Sequence, residues 1–516
     1  MRYLILLLCL HAAPLEAATR ASLLLPAGLV ISSVTIDSHN VFDTELPAED
    51  KLVYRAANRI HFTTREPAIR RELLFEVGDR YNAALVAETE RNLRALPFVR
   101  RAEIEAVVNK AGGVEVTVHT YDSWTLEIVA NYKRAGGATS MKAGLSEGNI
   151  LGMGKSGSAV YSNDWGAASA DLSYKDRQFF NYKRMQYSIA ARAASGSKNL
   201  SMSLDRPFYA SIARSAMGGG VSYGTVDTGP VSRQTIAAGV NYGISMTPST
   251  ERTRRIKFGL AAQRAESTGP VPDRARSLTF QIGAEWEDLD FLTARRIQKF
   301  THDEDFNLGF GVFPSVGLAP AIRALGSKQT RILPSVTVHK GFTWGRQLLL
   351  LNSGYSSQYA NGENSNLMAS FDAAYFRRGF RYQTMAAHTS LALGWRLDPA
   401  APLVLGEFNG LRGYGVGQFT GSRRFLINLE DRVYIWDELL NLMDVGLVFF
   451  CDSGYVWPQS SPVKLSDLKN SVGVGLRIAP SRSSANSPVR IDLARALNGS
   501  PDRPRWSLSI LGGQAF

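Results

Sequence analysis

The 516-residue sequence predicts a mainly β protein: a transmembrane antiparallel barrel preceded by one small α+β unit. Three observations predict it. Beyond residue 121, segments of roughly ten residues alternate apolar with polar or small side chains, as in a strand with two unlike faces. Past the leader, the chain lacks the run of about eighteen apolar residues that a helical span requires. Residues 29–120, by contrast, mix helical and strand periods.

The chain opens MRYLILLLCLHAAPLEAATRAS, with a basic start at Arg2, a short apolar core and small residues at Ala17 and Ala18. This reads as a cleaved secretory signal over residues 1–18. Without it one cysteine remains, Cys451, so neither an intramolecular disulfide nor a cysteine-based metal site is expected. The net charge of +12 would suit nucleic acid, but export removes the chain from it; anionic lipid head groups are the fitting partner.

Residues 27–121 form the first unit. VISSVTIDSHNVF alternates as a strand, while PAIRRELLFEVGDRY and NAALVAETERNLRALP read as helices. In the second helix Leu85, Leu93 and Leu96 share a face with Thr89. FVRRAEIEAVV and VEVTVHTY, separated by Gly112-Gly113, read as a hairpin. The order β-α-α-β-β predicts two helices on a three-stranded sheet.

Residues 122–516 form the second unit. TIAAGVNYGISM puts Ile236, Ala238, Val240, Tyr242, Ile244 and Met246 on one face, with Thr235, Gly239, Asn241 and Ser245 on the other. SLTFQIGAEW, RIKFGLAAQ, TSLALGWRL and SVGVGLRI repeat the pattern. Alternation alone would also fit a soluble sandwich. Long strands, Gly- and Ser-rich polar faces suited to a wet lumen, and the export signal favour the barrel. Counting such segments from Trp124 to Phe516 gives about twenty strands.

Few stretches look chemical. Gly152-Met153-Gly154-Lys155-Ser156-Gly157 spells GxGxxG, but an alternating strand follows where a phosphate site needs a helix, so a tight inter-strand turn is expected. His39, His61, His119, His302, His339 and His388 are scattered, without the spacing of a metal motif. No close carboxylate pair suggests glycosidase chemistry. The sequence thus names no catalytic residue, metal or cofactor, and an enzyme is not expected.

The C-terminal region is different. In LVFFCDSGYVW, Asp452 interrupts an apolar strand, which is costly if it faces lipid. Facing the lumen, it needs a partner. Arg412, in the glycine-rich loop GLRGYGVGQFTG, is one candidate; a strand neighbour such as Arg477 is the other. Arg412 could pair bidentately with one acid and touch a second. NLEDRVYIW sets Asn428, Glu430 and Arg432 on one face nearby.

LRGY (411–414), NLEDR (428–432), FFCDSGYVW (449–457), SVGVGLRI (471–478), VRIDLARAL (489–497) and LGGQAF (511–516) together resemble the BamA/TamA outer-membrane assembly proteins. FEVGDRYNAALVAETERNLRALPFVRRAEIEA (75–106) resembles a polypeptide-transport-associated (POTRA) repeat, and NILGMGK (149–155) an early turn of the family barrel. The resemblance implies sixteen strands, a POTRA domain in the periplasm, and a location in the outer membrane of a Gram-negative bacterium; BamA-like relatives carry several POTRA units, and this chain has room for one. It implies a lumenal latch of Arg412, Gly413 and Tyr414 against Asp452 and Glu430. It also implies a seam between the first and last barrel strands, near Trp124 and at Gly512 and Gly513, with Phe516 as terminal assembly signal. The implied function is insertion, assembly or translocation of polypeptides. The implied partners are outer-membrane lipids and lipopolysaccharide, unfolded outer-membrane or secreted clients, and periplasmic accessory proteins. A passive pore or a structural, surface-antigen barrel without insertase activity is the alternative.

Overall fold

The computed structural model describes the chain except residues 1–24, 26–27, 136–137, 165, 183, 230, 270–272, 326, 328, 380–381, 400, 484–487 and 500–504. The signal expected over residues 1–18 lies outside the described residues. The N-terminal unit holds strand β1 (Ile31–His39), helices α1 (Leu52–Ile60), α2 (Glu66–Arg70) and α3 (Ala83–Arg94), then β2 (Val99–Val108) and β3 (Val114–Asp122). The sheet order is β1-β3-β2, with β1 parallel and β2 antiparallel to β3. Its core joins Ile31, Val114, Val116 and Val118 to Leu93, Leu96 and Phe98.

Three local details depart from the sequence pattern. The helix expected from Pro67 stops at Arg70, and the chain turns through Gly78 at φ 96° before α3. On α3, Val86 rather than Leu85 is buried beside Thr89 and Leu93, because the helix starts at its cap: Asn82 accepts from the Ala84 and Leu85 amides. Helix α1 has no sequence signature, since Leu52 and Val53 face outward and Tyr54 alone is buried, stacked on Phe42 with ring centroids 4.5 Å apart.

The large sheet begins with β4 (Leu126–Ala135), β5 (Ala138–Glu147), β6 (Lys155–Asp164), β7 (Ala167–Asp176), β8 (Gln186–Ala194) and β9 (Ser197–Arg206). Longer strands follow: β10 (Ser215–Asp227), β11 (Ser232–Ser245), β12 (Arg252–Thr268) and β13 (Asp273–Asp288). A short hairpin, β14 (Phe291–Ala294) and β15 (Glu304–Asn307), leaves the wall. The wall resumes with β16 (Gly311–Ala319), β17 (Arg331–Trp344), β18 (Gln347–Ala360), β19 (Glu363–Arg378) and β20 (Gln383–Trp395). A second hairpin, β21 (Leu403–Leu405) and β22 (Phe419–Gly421), precedes β23 (Arg423–Leu439) and β24 (Met443–Trp457). The last strands are β25 (Lys469–Pro480), β26 (Val489–Ala496) and β27 (Trp506–Gly512).

Without its two hairpins this sheet has twenty strands in chain order, and β27 lies next to β4, so it returns on itself as a barrel. The other neighbouring strands pair antiparallel, residue by residue; no such register is defined between β27 and β4 among the described residues. The sixteen strands implied by resemblance are therefore corrected to twenty. Each strand carries its own alternation and can be counted, whereas the resemblance rests mainly on motifs at the two ends of the chain.

The barrel is built inside out compared with a soluble protein. Ile236, Val240, Tyr242, Phe258, Phe280, Ile282, Phe449 and Leu508 are exposed on its outer face, while Arg412, Arg432 and Arg477 are among the largest fully buried side chains. An outward apolar surface of this extent suits hydrocarbon rather than water. No helix among the described residues is long and apolar enough to cross a membrane.

The N-terminal unit docks on the turns of one mouth. Gly152 and Gly154, at φ 72° and 70°, shape the β5–β6 turn that carries the GxGxxG string. A side chain on Gly152 would collide with the Thr63 carbonyl at 2.4 Å. The Arg65 amide donates to the Gly152 carbonyl (2.9 Å), and Asn149 Nδ2 donates to Thr64 Oγ1 (2.8 Å). Further round, Arg184 pairs with Glu72, Glu88 accepts from Ser211, Arg94 pairs with Asp305, and Arg482 pairs with Glu49.

Candidate functional site

The connection between β20 and β23 leaves the far mouth and folds back into the lumen. Its β21–β22 hairpin brackets GLRGYG, and Leu405, Leu411 and Tyr414 pack on Leu426, Val456 and Ala496. Two glycines permit the descent. Gly410 (φ 101°) lies so close to the wall that a Cβ would meet Leu426 at 2.5 Å. Gly413 (φ 87°) takes a left-handed conformation that other residues rarely adopt.

The loop delivers Arg412 into a cage of acids. Nε donates to Asp452 Oδ2 and Nη2 to Asp452 Oδ1, both at 2.7 Å, the bidentate pairing that guanidinium and carboxylate planes favour. Nη1 donates to Glu430 Oε1 at 2.7 Å, and Asp492 Oδ2 lies 3.7 Å from Nη1. The guanidinium carbon stands 3.5 Å from the centroid of the Phe450 ring, so the cation also meets a π face. Asp452 accepts further from Asn428 Nδ2 (2.7 Å) and the Arg412 amide (3.2 Å).

The alternating strands fix this geometry. Asn428 and Glu430 alternate on β23, Phe450 and Asp452 on β24, and the register sets Asn428 opposite Asp452 and Glu430 opposite Phe450. Space comes from β25, where Gly473 faces Phe450 and Gly475 faces Asp492. A Cβ on Gly475 would sit 2.1 Å from Asp492 Oδ1, and one on Gly473 would sit 2.3 Å from the Phe450 ring. The glycines of SVGVGLRI thus make the room that the charges occupy.

Arg477 does not reach Asp452 as its alternative partner: its Nη1 donates to Asp492 Oδ1 at 2.5 Å, and Ser471 stands opposite Asp452. Arg432 Nε donates to Glu430 Oε2 at 2.8 Å. Four guanidiniums, those of Arg412, Arg432, Arg477 and Arg490, therefore share Glu430, Asp452 and Asp492. Isolated charges this deeply buried would be prohibitively costly; the shared network holds them. Gly413 N–H donates to Glu407 Oε2 (2.7 Å), as does Ser507 Oγ (2.9 Å), and the Tyr414 hydroxyl lies 2.8 Å from the Asn470 carbonyl. Sequence reasoning missed Asp492 and Glu407. Asp492 gave the same signal as Asp452, an acid within an apolar strand; Glu407 gave none.

The lumen is also filled from the near mouth. The segment between β14 and β15 enters the barrel, where Arg432 Nη1 donates to the Ile297 carbonyl (2.5 Å) and the Tyr434 hydroxyl to that of Arg296 (2.8 Å). Nothing in its sequence resembles a plug helix, and it inserts as a loop. Phe516 sits here too, stacked on His388 with centroids 5.1 Å apart and beneath the Arg432 guanidinium. The chain reaches it by turning inward at Gly513 (φ 87°), whose amide donates to the Pro488 carbonyl. Gly512 stays in the wall opposite Val489. Trp124 lies at the joint between units, packed with Val41, Phe42 and Tyr54, and its amide donates to the Arg482 carbonyl (2.7 Å).

That joint holds the buried acid Asp122, which accepts from the Thr64 amide at 2.6 Å. Burial pushes its carboxyl up to about 7, against the pull of the Thr64 hydrogen bonds. His61 lies 3.9 Å away, and burial draws its imidazole below the ordinary value.

No family model and no curated protein matches the chain. Among solved structures it is similar to BamA from Haemophilus ducreyi lacking POTRA domains 1–3, at 14% identity and a TM-score of 0.34, over 94% of this chain and 83% of that one. CdiB from Escherichia coli is similar at 11% identity and a TM-score of 0.42, over 96% and 92% of the two chains. CdiB from Acinetobacter baumannii follows at 10% identity and a TM-score of 0.40, over 94% and 73%. Similarity at this level leaves the function to be read from the chain's own residues.

Proposed function

We propose that this chain is an outer-membrane barrel of the BamA/TamA type that inserts, assembles or translocates polypeptides. One observation carries the reading. The arginine of the LRGY loop is folded into the lumen against Asp452 and Glu430, the arrangement that the sequence resemblance implies. An outward apolar face supports residence in the outer membrane of a Gram-negative cell. The α+β unit docked on one mouth supports a POTRA-like periplasmic domain through which clients or accessory proteins are received. Its partners would be outer-membrane lipids, lipopolysaccharide and unfolded polypeptides, and no covalent chemistry is invoked.

Depletion followed by a census of outer-membrane proteins tests this directly. Loss of a defined subset is the expected result; an unchanged census would overturn the reading. The twenty-stranded wall, wider than sixteen strands would make, favours a second reading as a passive pore. That reading requires a steady, ungated single-channel current together with an unchanged census.

A further inference from the structure

The sequence scatters its histidines, but the N-terminal sheet brings two of them together. Parallel pairing of β1 with β3 sets Asp37 opposite His119 and His39 opposite Tyr121, all on the outward pleat. Asp37 Oδ2 lies 2.9 Å from His39 Nε2 and 3.0 Å from His119 Nδ1, and the three ligand atoms fall within 4.8 Å of one another. From this juxtaposition we infer that the Asp37–His39–His119 cluster binds a zinc-class divalent cation.

The chemistry is specific. Two imidazole nitrogens converge on one carboxylate oxygen, so a cation bound among them would take the place of the protons that bridge them. Tetrahedral zinc holds nitrogen and oxygen ligands at about 2.0–2.2 Å, which separates them by roughly 3.3 Å. The two spacings to Asp37 need to open by only a few tenths of an ångström, and the two imidazole nitrogens, within 4.8 Å of one another, are brought to that separation by side-chain rotation. Imidazole with one carboxylate selects zinc, cobalt or nickel over the all-oxygen preference of magnesium and calcium.

The setting is pre-organised. His39 is stacked on Tyr121 with centroids 4.6 Å apart and planes 12° apart, which fixes one ligand ring. From β2, Glu103 stands opposite His119, and Arg101 pairs with Glu103 while lying over Tyr121. The three ligands are partly exposed, so water can reach the ion and complete its shell. Binding would also tie edge strand β1 to central strand β3. This inference does not depend on the function proposed above.

The test uses the full chain refolded in detergent micelles and stripped with a chelator. Titration with Co²⁺ should saturate at a single equivalent, develop the visible absorption of a low-coordinate cobalt site, and be reversed by Zn²⁺ but not by Mg²⁺. His119→Ala and His39→Gln should each weaken uptake by at least about tenfold while leaving heat-modifiable mobility unchanged. His388→Ala, in the lumen, should titrate like the wild type. Absence of Co²⁺ uptake by the wild-type protein, or a His119→Ala protein that folds and titrates unchanged, would overturn the assignment.

Discussion

The wall behind the latch and the junction between β27 and β4 belong to one sheet, yet they are held in opposite ways. Behind the latch, β23 and β24 run for 17 and 15 residues, and their lumenal side chains bind one another and Arg412. Beside the junction, β26 and β27 have 8 and 7 residues, fewer than the roughly nine to eleven that a tilted strand needs to cross a bilayer. Across the junction itself support comes from the mouth: the Trp124 amide donates to the Arg482 carbonyl, and Ser483 Oγ donates to Glu127 Oε1 at 2.6 Å. Strength in this barrel therefore follows the lumenal charges and not the ladder alone; the network runs as far as Arg490 and Asp492 on β26, and the β27–β4 junction beyond it is the natural place for the wall to yield.

The largest expected effect comes from removing the centre of the strong side. Arg412→Ala would leave Asp452 buried without its cation and Glu430 with Arg432 as its remaining hydrogen-bonded guanidinium, a loss on the order of 3–5 kcal/mol. Urea titration of the barrel, followed by heat-modifiable mobility, should show a midpoint well below that of the wild type. Arg412→Lys should fall between the two, because a single ammonium cannot reproduce the fork to Asp452. A variant as stable as the wild type would mean that the ladder, and not the charge network, holds this wall.

Next comes the joint that supports the weak side. Asp122 has its folded-state carboxyl raised to about 7 from a usual 3.8. Between those values the folded protein binds the proton more tightly than the unfolded chain. The stability from this group is therefore fully present below the ordinary carboxylate range and is lost as pH rises through 7. The ceiling on that change is about 4 kcal/mol. His61, shifted downward, slopes the other way, so the difference between wild type and Asp122→Asn isolates the carboxyl. Melting curves should show the variant gaining on the wild type as pH rises from 5 to 8; parallel curves would place the proton elsewhere.

The two sides also differ in how much the sequence reveals. Alternation announces any strand with lipid on one face and water on the other, so the strand count was legible. Asp452 was legible as an acid in an apolar run. Its pairing with Arg412 and not Arg477 was left open, because it depends on register and on the depth to which the loop descends. The pairing of His39 with His119 was hidden for the same reason, since parallel strands join residues far apart in the chain. The lumenal position of Phe516 was equally hidden, because a terminal aromatic in an alternating run looks the same whichever way the chain turns after Gly513.

A matched pair of glycine substitutions separates the two sides with the smallest chemical change, one methyl group. Both residues lie in strands, and neither has a positive φ. At Gly475 the new Cβ would stand 2.1 Å from Asp492 Oδ1 and 2.4 Å from Arg477 Nη1, so the ion pair must move or the strand must bend. Overpacking of this kind costs about 1–3 kcal/mol. At Gly512 the Cβ would meet no atom within 4 Å. There alanine should be neutral or stabilising by up to about 1 kcal/mol, since it restricts the unfolded chain more than glycine does. Urea midpoints for the two variants should therefore shift in opposite directions or by clearly unequal amounts. Equal losses would mean that β27 is packed as tightly as β25, and the contrast between a latched wall and a yielding junction would have to be abandoned.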